Sequence, residues 1–166
     1  MVLDSSNAAD VCPCDPAPYA AQFAAMKPKS GTWLLTHRPV WGFGPRRRTV
    51  NASLQEALAN WNGKLPDGIE LVLAGHIHVV EVLSFADKRS PQFVLGTGGT
   101  LLAGKIKPDL TGETIAGRRV AFGRSDHRFG FAMIEPAAGG YAATFRDTSS
   151  AKLFACKIAA GQIACD

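Results

Sequence analysis

Apolar residues in this chain come in short runs separated by turn-forming residues. Val2-Leu3, before Asp4-Ser5-Ser6, reads as the stub of a strand, and a loop carrying Cys12, Pro13, Cys14, Pro16 and Pro18 follows. Tyr19, Phe23 and Met26 recur at helical spacing and predict a short amphipathic helix over Tyr19 to Met26. Thr32 to Thr36 and Ile69 to Ala74 are nearly continuous apolar runs of strand length, the pattern of strands buried on both faces. Between them lies a Gly/Pro/Arg loop, Val40 to Arg48. A helix then runs to about Trp61, capped by Asn51 or Ser53, with Leu54, Leu58 and Trp61 as its core stripe. Pro66-Asp67-Gly68 is a turn. Val79 to Phe85 is extended, and Gln92 to Leu95 is a strand stopped by Gly96-Thr97-Gly98-Gly99. Lys105 to Arg124, rich in Gly and charge, reads as a long surface loop. Arg128 to Glu135 and Tyr141 to Asp147 form a hairpin around residues 136–140.

The elements add up to a sheet-rich α/β domain. Its 166 residues suit one domain, and 46% hydrophobic residues against 19% charged ones suffice for a core. No apolar run approaches the roughly 20 residues that cross a bilayer, so no membrane partner is expected. The first residues lack the basic and apolar regions of a signal peptide. The net charge is +4, and Arg46-Arg47-Arg48 is the one dense basic cluster, read as a solvated loop or as an attractor of anionic substrate. No interleaving of aromatic and basic residues points to nucleic acid.

Four cysteines allow three pairings. Cys156 and Cys165 flank an apparent hairpin around Gly161, where opposed strand positions bring two sulfurs into range; the alternative is a pair of free thiols. A disulfide there would agree with an exported parent, periplasmic or secreted.

The candidate chemistry lies in histidines. Of four, His37, His76 and His78 sit just after apolar runs. Residues two apart in extended chain share a face, roughly 7 Å apart, so His76 and His78 point the same way. Neutral imidazole is the commonest ligand for transition metals, and in layered α/β folds sites gather at strand ends. Gly75 provides a sharp exit from its strand, and Pro39 ends the other run. Ser125-Asp126-His127 are consecutive and cannot converge as a relay triad; His127 reads as a loop residue. Gly96 to Gly99 lacks the Gly-Lys-Ser/Thr ending of a phosphate loop and reads as a plain turn. Trp33 and Trp61 read as core, while Trp41 reads equally as core or as the lining of a substrate pocket.

Leu35-Thr36-His37-Arg38-Pro39, followed about forty residues on by Leu73-Ala74-Gly75-His76-Ile77-His78, resembles the last two metal motifs of calcineurin-like metallophosphoesterases, the superfamily that includes purple acid phosphatases. The resemblance implies a partial α-β-β-α four-layer sandwich, with 1–166 as its C-terminal half. It implies metal-dependent hydrolysis of phosphate esters at two metals drawn from iron, zinc and manganese, with His37 and His76 on one and His78 on the other. Arg38 and Trp41 would face the substrate. The family's acidic and asparagine motifs, which supply the bridging carboxylate and the leaving-group acid, have no counterpart here. The expectation is therefore a chain that binds at most one metal and is weakly active or inactive alone, self-associating through an exposed sheet edge. The rival is a non-catalytic three-histidine module or structural remnant.

Overall fold

The computed structural model describes residues 1–45, 51–99 and 101–166, so Arg46, Arg47 and Arg48 lie outside the described residues. Seven strands form one sheet: β1 (Val2–Leu3), β2 (Thr32–Thr36), β3 (Ile69–Ala74), β4 (Val80–Phe85), β5 (Gln92–Leu95), β6 (Thr114–Ile115) and β7 (Arg118–Asp126), in the order β1-β2-β3-β5-β4-β7-β6. The β1-β2-β3-β5 half is parallel, and β4 turns back antiparallel between β5 and β7.

Strand alternation sends side chains to two different cores. Leu3, Leu34, Val72, Leu83 and Phe85 face α1 (Ala17–Ala25) and α2 (Ala52–Ala57), which contribute Tyr19, Phe23, Leu54 and Ala57. Asn51 caps α2 through a bond from the Leu54 amide to its side-chain oxygen (2.9 Å). On the other face, Leu71, Val80, Val82 and Phe93 meet a four-stranded antiparallel sheet of β8 (Gly130–Ala137), β9 (Gly140–Asp147), β10 (Lys152–Ala159) and β11 (Gln162–Cys165). Phe93 meets Phe145 edge-on at 5.5 Å, and Phe145 stacks on Phe154 at 4.3 Å. Each such aromatic pair adds about 0.5–1.5 kcal/mol to plain burial.

The four-layer expectation is corrected here. Both helices cover the same side of the larger sheet, and among the described residues no helix covers the outer face of the smaller one, where Phe131, Met133 and Glu135 stand exposed. The chain folds as three layers: helices, a mixed sheet and an antiparallel sheet. Everything after β7 is strand and tight turn, so the described chain has no helical segment left to make a fourth layer. The long surface loop is corrected as well. Residues 114–126 form the β6–β7 hairpin, in which Ile115, Val120 and Ser125 are buried while Thr114, Arg119 and Ala121 are exposed.

Two disulfides join Cys156 to Cys165, across the β10–β11 ladder, and Cys12 to Cys14. Both fit a chain that lives outside the reducing cytosol. Among the described residues no helix is long and apolar enough to cross a membrane.

Candidate functional site

The parallel strands β2 and β3 run side by side, Thr36 opposite Ala74, so the turns leaving them are neighbours. The Gly75 amide donates to the His37 carbonyl (3.0 Å) and ties those turns together. The rings of His37 and His76 meet edge to face with centroids 5.2 Å apart. The sharp exit is made by His76 itself, whose φ of 66° lies in the left-handed region, and not by Gly75. A left-handed non-glycine residue carries backbone strain of the sort that concentrates at functional sites. Gly96 is required for a different reason: a Cβ there would lie 1.9 Å from the Ile77 carbonyl oxygen. The turn after β5 thus presses directly on the histidine turn.

Arg38 is set by a buried hydroxyl network. The Ser5 and Thr36 hydroxyls bond each other (2.6 Å), the Arg38 amide donates to Ser5 Oγ (2.8 Å), and Thr36 Oγ1 donates to the Arg38 carbonyl (2.9 Å). The guanidinium then donates from Nε to the Ser6 carbonyl (3.2 Å), its Nη1 forms an ion pair with Asp10 Oδ1 (2.9 Å), and Nη1 lies 3.0 Å from His76 Nε2. Asp10 Oδ2 lies 3.3 Å from the same His76 nitrogen. Its backbone is sewn to the start of α2: the Ala52 amide donates to the Asp10 carbonyl, and the Ala9 amide donates to Ser53 Oγ.

Electrostatics follow from this geometry. Burial lowers the His37 pKa, and the charges of His76, Arg38 and His78 lower it further, so His37 is a neutral imidazole at pH 7. Burial works against ionising Asp10, but contacts with His76 and Arg38, with the charges of both, outweigh it and hold the carboxyl below its ordinary value.

The sequence candidates separate at this point. His37, Arg38 and His76 come together. His78 Nδ1 is bonded to the Leu101 carbonyl (2.6 Å), and among the described residues no three histidine, cysteine or acidic side chains group so as to hold a metal ion. His127 bonds the Ala103 carbonyl. Trp41 is wholly buried, with its ring 5.1 Å from Phe85 and the Arg89 guanidinium over it. It is core, and the pocket-lining alternative is corrected. Sequence reasoning missed Asp10, which sits in a cysteine- and proline-punctuated loop with no motif around it.

A shallow cavity of about 560 Å³ opens beside His37, lined by Val2, Ser5, Leu35, Leu73 and Leu95. Another, of about 540 Å³, lies at the opposite ends of the strands, around Asp67, Glu70 and Tyr141, and contains no histidine. His37 lines the first cavity and its ring meets that of His76; imidazoles are the right donor type for iron, zinc or manganese. The Arg38 guanidinium, however, stands 3.0 Å from one of the donor nitrogens, and a fixed cation there opposes a dication. The Arg38 charge would thus weaken the hold of His37 and His76 on a metal.

No family model and no curated relative matches the sequence. Among solved structures the chain is similar to GAP50, described as the anchor in the inner membrane complex of Plasmodium, with 14% identity and a TM-score of 0.50. The match covers 87% of this chain and 41% of that one, so the chain spans about two fifths of that protein's length. The likeness is one of fold and adds no support for a four-layer sandwich.

Proposed function

We propose that the chain carries the histidine half of a metal-dependent phosphoester hydrolase centre of the calcineurin-like kind, with the remaining ligands supplied by polypeptide outside this sequence. The observation that carries the reading is the pairing of neutral His37 with strained His76 on adjacent parallel strand ends, beside Arg38. In this reading the two imidazoles offer lone pairs to a metal, and Arg38 takes the phosphate oxygens, for which its planar fork is suited. An exported parent, periplasmic or secreted, goes with it, supported by the two disulfides.

A second reading, a non-catalytic remnant of such a centre, is favoured by the Arg38 contact on His76. Calorimetric titration with zinc or manganese tests the first reading. A single weak equivalent that disappears in both His37→Ala and His76→Ala is expected. No binding, or binding that survives both substitutions, sinks it. Hydrolysis of p-nitrophenyl phosphate separates the two readings, since metal-dependent turnover lost in His76→Ala excludes the remnant. The isolated chain is expected to turn over little or not at all.

A further inference from the structure

The geometry points to a metal-independent oxyanion cradle at Arg38 and His76, with the Asp10 carboxylate as its built-in occupant, which a phosphate group displaces. Arg38 cannot wander: its amide, carbonyl and Nε are all engaged by Ser5, Thr36 and Ser6, which leaves Nη1 as the end that meets a ligand. The Asp10 backbone is equally fixed by the start of α2. What remains free to turn is the Asp10 side chain.

The three polar groups do not close into a satisfied network. His76 Nε2 lies within hydrogen-bonding distance of both Arg38 Nη1 and Asp10 Oδ2. One ring nitrogen either donates or accepts. If it donates to Asp10, its contact with Arg38 sets N–H against N–H. If it accepts from Arg38, its contact with Asp10 sets lone pair against lone pair. An arrangement that always leaves one contact unmade is a poor structural clamp. It is a good holding place for an oxyanion with more oxygens than a carboxylate.

Access agrees. The side chains of Arg38, His76 and Asp10 are 21%, 26% and 36% exposed, so solvent reaches all three, while Asp10 Oδ1, the oxygen against Arg38, is itself buried and accepts no hydrogen bond. Ion pairs this open contribute about 0–1 kcal/mol, so a phosphate dianion displaces the carboxylate at small cost. Asp10 thereby sets a threshold: it keeps weak anions out of the cradle and gives way to phosphate. The identity of the anion rests on the phosphoester reading above; the cradle itself does not require a metal.

The test is phosphate binding by wild-type and variant chains at pH 7 in excess EDTA, with inorganic phosphate and phenyl phosphate as separate ligands. Asp10→Asn keeps the shape and removes the charge, and is expected to bind either ligand up to about fivefold more tightly than wild type, the fold-change that such an open ion pair amounts to. Adding Arg38→Ala to Asp10→Asn should remove the binding. Tightening for phenyl phosphate alone assigns the cradle to esters, and tightening for both assigns it to the phosphate group as such. In the wild-type chain, phosphate should shift the NMR signals of the His76 ring and the Asp10 carboxyl together, a readout that needs no variant to fold. Unchanged or weaker binding by Asp10→Asn, binding that survives Arg38→Ala, or shifts confined to other residues overturns the inference. Zinc titration is read separately, so the metal-centre reading can fail while the cradle stands, and the reverse.

Discussion

Glu81 lies near the start of β4, wholly buried, on the face that meets the loop after Arg38. Both its oxygens accept from the Phe43 amide, at 3.0 and 3.2 Å. Burial raises its pKa from 4.5 to about 8, and among the described residues only the Phe43 amide pulls the other way. Glu81 is therefore protonated in the folded chain at neutral pH and ionised in the unfolded one. The sign is opposite to that of an ordinary paired carboxylate. Below pH 4.5 both states hold the proton and Glu81 is neutral in the balance. Between 4.5 and 8 the folded state binds more protons, so stability falls as pH rises, and above about 8 the loss is complete. At about 1.36 kcal/mol per pH unit, the cost grows to ~3 kcal/mol at pH 7 and ~5 kcal/mol above pH 8. Glu81→Gln keeps an oxygen for the Phe43 amide and removes the titration. Urea unfolding followed by tryptophan fluorescence at pH 4, 5.5, 7 and 8 should show the variant gaining on wild type by these amounts as pH rises. A stability difference constant across that range would refute the reasoning, because it would mean that Glu81 ionises freely in place.

Gly96→Ala should destabilise by about 3 kcal/mol, the scale of overpacking, because its Cβ meets the Ile77 carbonyl; thermal unfolding measures the loss, and an NMR shift at His76 and His78 should accompany it. The Cys156→Ser/Cys165→Ser pair should lower stability by roughly 2–3 kcal/mol, the chain-entropy value for a loop this short; recovery of both cysteines as free thiols from an oxidised wild-type sample by peptide mapping would contradict the bond.

The strands near the site were legible from sequence because they are apolar throughout. β2, β3 and β5 have the bounds their hydrophobic runs predict. β7 was hidden because three arginines and a glycine break its alternation, and a bulge opposite Ser84 and Phe85 shifts its phase. His37 and His76 were legible as strand-end residues. That they meet depends on β2 and β3 pairing in register, which the pattern allows and does not dictate. Asp10 was not legible, since it is carried to Arg38 by hydrogen bonds from a helix more than forty residues away in sequence. Trp41 was undecidable for a similar reason: its burial depends on Gln92, whose side-chain oxygen accepts from the Val40 and Trp41 amides and pins the loop under the sheet. The fourth layer came from family likeness, and the residues themselves contain no helical pattern after β7.

The two sheets differ in how far apart in sequence their partners lie. β8 to β11 pair only with the next strand along, through short turns. β2 and β3 are more than thirty residues apart, and β4 reaches past a long segment to β7. Local hairpins close in microseconds, whereas distant pairings first lose the entropy of large loops and form slowly. The fast-folding sheet is also the last one made by the ribosome. Leu71, Val82 and Phe93 thus leave the exit tunnel well before Phe145 and Phe154 exist to cover them. A growing chain holds apolar strands uncovered until β10 is synthesised, and transiently exposed surface of that kind is what aggregates.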